Sequence, residues 1–189
     1  MQFKLLKDPI SYDGSQLRSL YAYMDHHILG DSMVAWVGPC DIPFEHMADG
    51  EDLLAKAQIK GDKMVHFIIE KFNISLFSGV SLQRLLASVC IEVLQELSPV
   101  EEKAQMLIRE GDDIYFDEQK LSISIATQSP VSTLIHFAVN VTNQGTPVKT
   151  LSLEDLKVDA YEFAKVILHR FSQEIDTIDV ATKKVRWVK

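Results

Sequence analysis

Several short stretches of this chain carry side chains that could do chemistry. Asp13-Gly14-Ser15-Gln16-Leu17-Arg18 places a carboxylate, a glycine turn, two polar side chains and a guanidinium ahead of an apolar, helix-like run. If a helix starts here, its free N–H groups beside Arg18 suit a phosphate or carboxylate. The plainer use of the same residues is a cap by Asp13 or Ser15, with Gly14 in a tight turn. Cys40-Asp41 follows an apolar run across Gly38-Pro39. Exposed in a loop beside a base or cation, the thiol would be a nucleophile, with Asp41 next to the ligand; packed inward, it is a small core residue. Lys120 begins an alternating run after an acidic turn, as a solvated lysine or as a fixed ammonium. His66 and Glu70 lie four apart and His136 sits in an apolar run, while His26-His27 and Glu45-His46 are isolated. Two ligands on one helix face do not make a metal site, so none is expected.

The elements that must position these groups are legible as patterns. Phe3 and Leu5 alternate with polar neighbours, as in a short strand. Leu17, Leu20, Tyr21, Met24 and Ile28 have helical spacing and end at Gly30. Met33 to Val37 reads as a buried strand stopped by Gly38-Pro39, and an acidic irregular stretch from Asp41 to Asp52 follows. The intervals among Met64, Val65, Ile68 and Phe72 predict a helix over 62–72. The stripe Leu82, Leu85, Leu86, Val89, Val93, Leu97 predicts another from Ser81 to Leu97. Ile114 to Phe116, Leu121 to Ile125 and Ser132 to Val141 read as strands, the last two joined closely enough at Ser129-Pro130 for an antiparallel pair. Tyr161 to Phe171 predicts a C-terminal helix, and the tail 181–188 fits either state. Strands and helices do not alternate regularly. The expected class is α+β, with helices packed on a mixed, largely antiparallel sheet in a single domain over 1–189.

Two longer stretches carry a resemblance. GDDIYFDEQKLSISIA, from Gly111 to Ala126, followed by STLIHFAVNV, resembles the central segment of biotin and lipoate protein ligases. On that pattern Asp113 matches the acidic position, Lys120 the lysine, and Asn140-Val141 the end of the partner strand. The resemblance implies a lysine that stabilises developing negative charge during acyl transfer, with ATP and Mg²⁺ implied by it alone, the ion through Asp41, Asp49 or Asp113. Octanoyltransferases of the same fold group pair a Cys with a Lys, but there the Cys follows the Lys, whereas Cys40 precedes Lys120. More broadly, YDGSQLRSLYAY, GDSMVAWVGPCD, KMVHFI and KVRWV, with the segments above, resemble the family called domain of unknown function 366, whose fold is expected to be ligase-like.

Bulk properties narrow the classes. At 189 residues the chain can bury roughly 70% of its unfolded surface, enough for a core without a staple. With 19 basic and 27 acidic residues the net charge is -8, which repels phosphate backbones and disfavours nucleic acid. No apolar stretch reads as a membrane span, and the first residues are too charged for a secretory signal. Two cysteines 50 positions apart read as reduced thiols in the cytoplasm. The expectation is an acyl- or adenylyl-transfer enzyme acting on a carboxylic acid or nucleotide-type molecule. Lys120, Cys40 and Asp113 would do the chemistry, and Asp13, Gly14, Ser15, Gln16, Arg18 and Asp41 would hold a small anionic ligand. The alternative is a non-catalytic anion-binding or assembly module, with homo-oligomerisation left open.

Overall fold

The computed structural model describes residues 1–188; the unit expected over 1–189 extends past them only at Lys189. Its framework is a sheet in the order β1 (Gln2–Leu5), β2 (Ser32–Asp41), β3 (Lys60–Phe72), β8 (Ser132–Asn140), β7 (Ser122–Gln128). Only the β1/β2 pair is parallel; the other neighbours are antiparallel. The Leu121-to-Ile125 and Thr133-to-Val141 segments pair as the sequence predicts, with Ile125 opposite His136.

The helix predicted over 62–72 is instead β3. Val65, Phe67 and Ile69 join the core under the helices, while Met64 and Ile68 join a second core on the opposite face. A strand buried on both faces reads as a continuous apolar run, and its hits at three and four residues mimic a helix. Since side chains alternate with period two, His66 and Glu70 still share a face, now that of a strand.

One face is covered by two long helices. Helix α3 (Leu76–Leu97) starts five residues before the expected Ser81, because Ser75 caps it by accepting the Ser78 N–H at 3.2 Å. Leu86, Val89 and Val93 are buried as expected, while Leu85 is half-buried. A β-carbon on Gly79 would lie 2.3 Å from Thr133 Cγ2, so this glycine sets how closely α3 approaches β8. By length and composition alone α3 could cross a membrane, the one such helix among the described residues. Its place on β7 and β8 beside α5, with Glu96 on Arg170, is that of a core helix. Helix α5 (Ala160–Lys183), capped by Asp159, buries Phe163, Ile167, Phe171 and Ile175, and it takes in the start of the tail left open in the sequence.

The other face is covered by the irregular segment between β1 and β2. Trp36 Nε1 donates to the Ile10 carbonyl at 2.8 Å, and a β-carbon on Gly38 would come within 2.0 Å of that same oxygen. The helix expected from Leu17 shrinks to α1 (Tyr21–His26), because Leu20 and His27 both adopt left-handed backbone. The Leu20 N–H donates to the carboxylate of buried Glu70, which also accepts from Ser132 Oγ. Strand β2 does not stop at Gly38-Pro39. It passes a register shift between Gly38 and Cys40, where Tyr12 takes over from β1 as edge partner and donates its N–H to the Pro39 carbonyl. A proline is tolerated at such an irregularity.

A small three-stranded sheet, β4 (Ile108–Glu110), β5 (Asp113–Phe116) and β6 (Gln119–Lys120), projects from the edge at β7. Helix α4 (Glu101–Gln105) precedes it, and helix α2 (Gly50–Ala55) lies in the acidic stretch.

Candidate functional site

Lys120 ends the β5–β6 hairpin with its backbone held on both sides. It pairs with Tyr115 across the hairpin, its N–H donates to the Lys149 carbonyl, and its own carbonyl accepts from Leu151 N–H. Buried Asn140 donates from Nδ2 to the Lys120 and Leu151 carbonyls at 3.1 and 3.2 Å. The lysine is therefore aimed by fixed backbone rather than by a loop. Its Nζ meets Asp113 Oδ2 at 2.7 Å, with the two side chains 29% and 23% exposed. Burial raises the pKa of Asp113, and the Lys120 ammonium pulls it back down.

This pair stands between two hollows. The first, of about 340 Å³, lies over the second face of the sheet: Tyr12, Ile123, Ile125 and His136 form its floor, and the 46–52 stretch and Asp112 its walls. The second, of about 200 Å³, continues past Lys120, Asp52 and Ile123 and is lined largely by apolar groups such as Ile59, Met64, Pro147 and Val148. Asp112 is anchored to α3, its carboxylate accepting from Gln83 Nε2 and Ser124 Oγ, both at 2.7 Å. Asp52 has its pKa raised, first by burial and then by Asp49.

Of the residues expected to converge with Lys120, only Asp113 does so directly. Cys40 lies on a strand instead of in a loop; it is buried against Tyr12, and its thiol is pushed up to about 12 by burial and then by Asp41. A nucleophilic thiol needs the opposite shift. Asp41 is exposed and paired with Lys60 at 3.2 Å. Arg18 Nη2 donates to both carboxylate oxygens of Asp25 at 2.8 Å while its Nη1 donates to the Ser15 carbonyl at 3.2 Å, in a separate hollow with Ser15, Gln16 and Tyr21. No helix N-terminus stands at Asp13: its carboxylate accepts from Ser15 N–H and Oγ, while buried Gln16 donates to the Ser11 carbonyl and accepts from Asp13 N–H. Gly14, at φ +88°, passes so near His46 that a β-carbon would sit 2.9 Å from its Cβ. The loop thus reaches the cleft only through Tyr12 and through His46, whose Nδ1 lies 2.9 Å from the Asp13 carbonyl oxygen.

Sequence reasoning missed a buried aromatic stack under the floor. Tyr12 lies parallel to His136 with centroids 3.6 Å apart, and His66 stacks between Tyr12 and Trp36 at 5.3 Å from each. His66 Nδ1 is 3.1 Å from His136 Nε2, and His66 Nε2 is 3.2 Å from the Gly38 carbonyl oxygen. Burial pushes His66 down to about 4; burial and then His66 hold His136 down in the same direction. The two histidines were visible in the sequence, 70 positions apart, but only pairing β3 with β8 joins them.

The chain matches, over residues 1–186, the family described as Domain of unknown function (DUF366). It belongs to that family. The DUF366 chain is 32% identical over 191 residues to "Uncharacterized protein MJ0805" of Methanocaldococcus jannaschii, covering 97% of itself and 84% of that protein. It superposes on "Protein of Unknown Function from Pyrococcus horikoshi" with a TM-score of 0.91 and 42% identity, over 99% of this chain and 100% of that one. A biotin protein ligase from Aquifex aeolicus in complex with biotin and ATP gives a TM-score of 0.60 at 16% identity, over 93% of this chain and 70% of the ligase. LipL1 of P. falciparum in complex with lipoate gives 0.58 at 12%, over 98% and 63%. The two resemblances read from the sequence therefore hold, the ligase one as a likeness of fold.

Proposed function

We propose that the groove around Lys120 binds a small carboxylic acid with an apolar body and performs acyl-transfer chemistry at its carboxyl carbon. The observation that carries this is the position of the Lys120–Asp113 pair, 2.7 Å apart, at the junction of a polar and a largely apolar hollow. An apolar chain fits beside Ile59, Met64 and Val148, which puts its carboxyl group at the ammonium. In an ester or thioester of such an acid, as water or another nucleophile attacks the carbonyl carbon, negative charge gathers on the oxygen opposite Lys120, whose charge stabilises it. The carbonyl re-forms as the bond to the alcohol or thiol breaks and that group leaves with a proton. Asp113, with its raised pKa, is placed to carry a proton. The fold neighbours in complex with biotin and lipoate add support by analogy, since both ligands are carboxylic acids.

A triphosphate fits this cleft poorly. Five carboxylates, Asp49, Glu51, Asp52, Asp112 and Asp113, line it against Lys120 and His46. Arg18 lies elsewhere, and no cluster of three metal-ligating side chains occurs among the described residues. No step is therefore assigned to ATP or Mg²⁺. A second reading, binding without chemistry, is favoured by the burial of Cys40, which keeps its thiol out of the cleft. A cytoplasmic setting belongs to the proposal, supported by two free, buried cysteines.

Thermal shift with octanoate, biotin and lipoate tests the site, since a ligand of the native state raises Tm. Tm should rise for at least one acid in the wild type and stay flat in Lys120→Ala. Equal rises in both proteins refute the assignment. Hydrolysis of an octanoyl ester by the wild type but not by Lys120→Ala separates chemistry from binding alone.

A further inference from the structure

The buried histidine pair has a fixed direction of hydrogen bonding. The Gly38 carbonyl can only accept, so His66 Nε2 carries the hydrogen in the 3.2 Å contact. Burial keeps His66 neutral, and a neutral imidazole has one N–H. His66 Nδ1 is therefore a bare lone pair, and it accepts the hydrogen on His136 Nε2 at 3.1 Å. His136 is neutral for the same reason, which leaves its own Nδ1 without a hydrogen. The chain of donors runs from His136 through His66 to the backbone of β2 and ends in an unfilled acceptor at its outer end.

That acceptor belongs to the cleft. His136 is 2% exposed, yet it lines the first hollow, and no hydrogen-bond partner reaches its Nδ1 among the described residues. Its Nε2 is turned towards β3, where His66 sits, and the two nitrogens of an imidazole point in divergent directions. Nδ1 therefore faces away from β3, on the side of β7 and the cleft. The parallel ring of Tyr12, 3.6 Å away, fixes the plane of the imidazole. The walls above carry Asp49, Glu51 and Asp52, and the charges of Asp49 and Glu51 add to the effect of burial in raising the Asp52 pKa, so these carboxylates feel one another across the hollow.

We propose that this hollow takes a cationic N–H donor, an ammonium or guanidinium group, and that His136 Nδ1 is the acceptor that selects it under the acidic wall. The site goes beyond the carboxylic-acid reading, in which Lys120 serves the other end of the groove. Together the two ends describe a ligand or pair of reactants bearing an amine as well as a carboxyl group.

The probes are n-hexylammonium, hexanol and hexanoate, and the readout is long-range ¹H–¹⁵N correlation of the histidine rings at pH 7. In the free protein His136 should show hydrogen on Nε2 and a bare Nδ1; hydrogen on Nδ1 overturns the proposal at once. Hexylammonium should shift His136 Nδ1 saturably, hexanol should not, and a His136 ring that ignores hexylammonium also overturns it. His136→Phe, which keeps a ring under Tyr12, should weaken hexylammonium at least tenfold; unchanged affinity refutes the assignment. Lys120→Ala should still bind hexylammonium. A protein that binds hexylammonium at His136 but ignores hexanoate supports this site while refuting the carboxylate one.

Discussion

Lowering the pH from 7 to 4.5 should destabilise this protein through an imidazole that never touches solvent. His66 is fully buried and its pKa falls from 6.5 to about 4, because burial penalises the cation more than its bond to Gly38 favours it. In the unfolded chain the same ring titrates near 6.5. Between those values the unfolded state binds the extra proton, so stability is complete above 6.5 and is lost as pH falls towards 4. A shift of that size corresponds to about 3 kcal/mol for His66 alone. His136 is shifted in the same direction and adds to the loss in the same window. Asp52 and Asp113, with raised pKa values, act with the opposite sign and offset part of it. The lowered carboxylates Asp13, Glu96 and Asp155 weaken the fold mainly below about pH 4, outside the window. Urea denaturation of wild type and His66→Gln between pH 7 and 4.5 isolates the imidazole, since glutamine keeps a donor and an acceptor but does not titrate. The wild type should lose more stability than the variant by about 2–3 kcal/mol across this range. Parallel curves for the two proteins refute the linkage.

Truncating Leu86, fully buried between the sheet and the long helices, to Ala should cost about 2–5 kcal/mol by chemical denaturation. Gly38→Ala drives a methyl group against the Ile10 backbone oxygen, so the segment covering Trp36 must move. A shifted Trp emission and a loss of at least about 1–3 kcal/mol are expected. Asn140→Ala removes the two bonds holding the Lys120 and Leu151 carbonyls and should cost about 1–3 kcal/mol, while weakening octanoate binding although Lys120 itself is intact. Cys40 and Cys90, both buried with raised pKa values, should resist a thiol reagent in the native protein at pH 8 and react together on unfolding. Fast labelling of native Cys40 would show that its cover opens.

The sequence by itself determined the elements whose burial is one-sided or whose alternation is strict. The stripe of α3, the amphipathic α5 and the Ile123, Ile125 alternation of β7 could be read because one face of each meets water or the sheet edge. It also carried the family and the local motif from Asp113 to Lys120, its two key residues seven positions apart, although Lys120 closes β6 against β5 instead of opening the strand over 121–125. Tertiary structure decided the rest. β3 looked helical because both its faces are covered, a fact that lies in residues 6–31 and in α5 and not in β3 itself. Arg18 looked like an anion ligand until Asp25 engaged its Nη2 and the Ser15 carbonyl its Nη1, and Cys40 looked loop-borne until Tyr12 extended the strand edge past Pro39. The histidine pair needed the register of β3 against β8, with Ile68 opposite His136, to bring two rings within 3.1 Å. Local periodicity encodes which residues are apolar, whereas the partner that buries them, and the dielectric that then sets their charge, comes from distant segments.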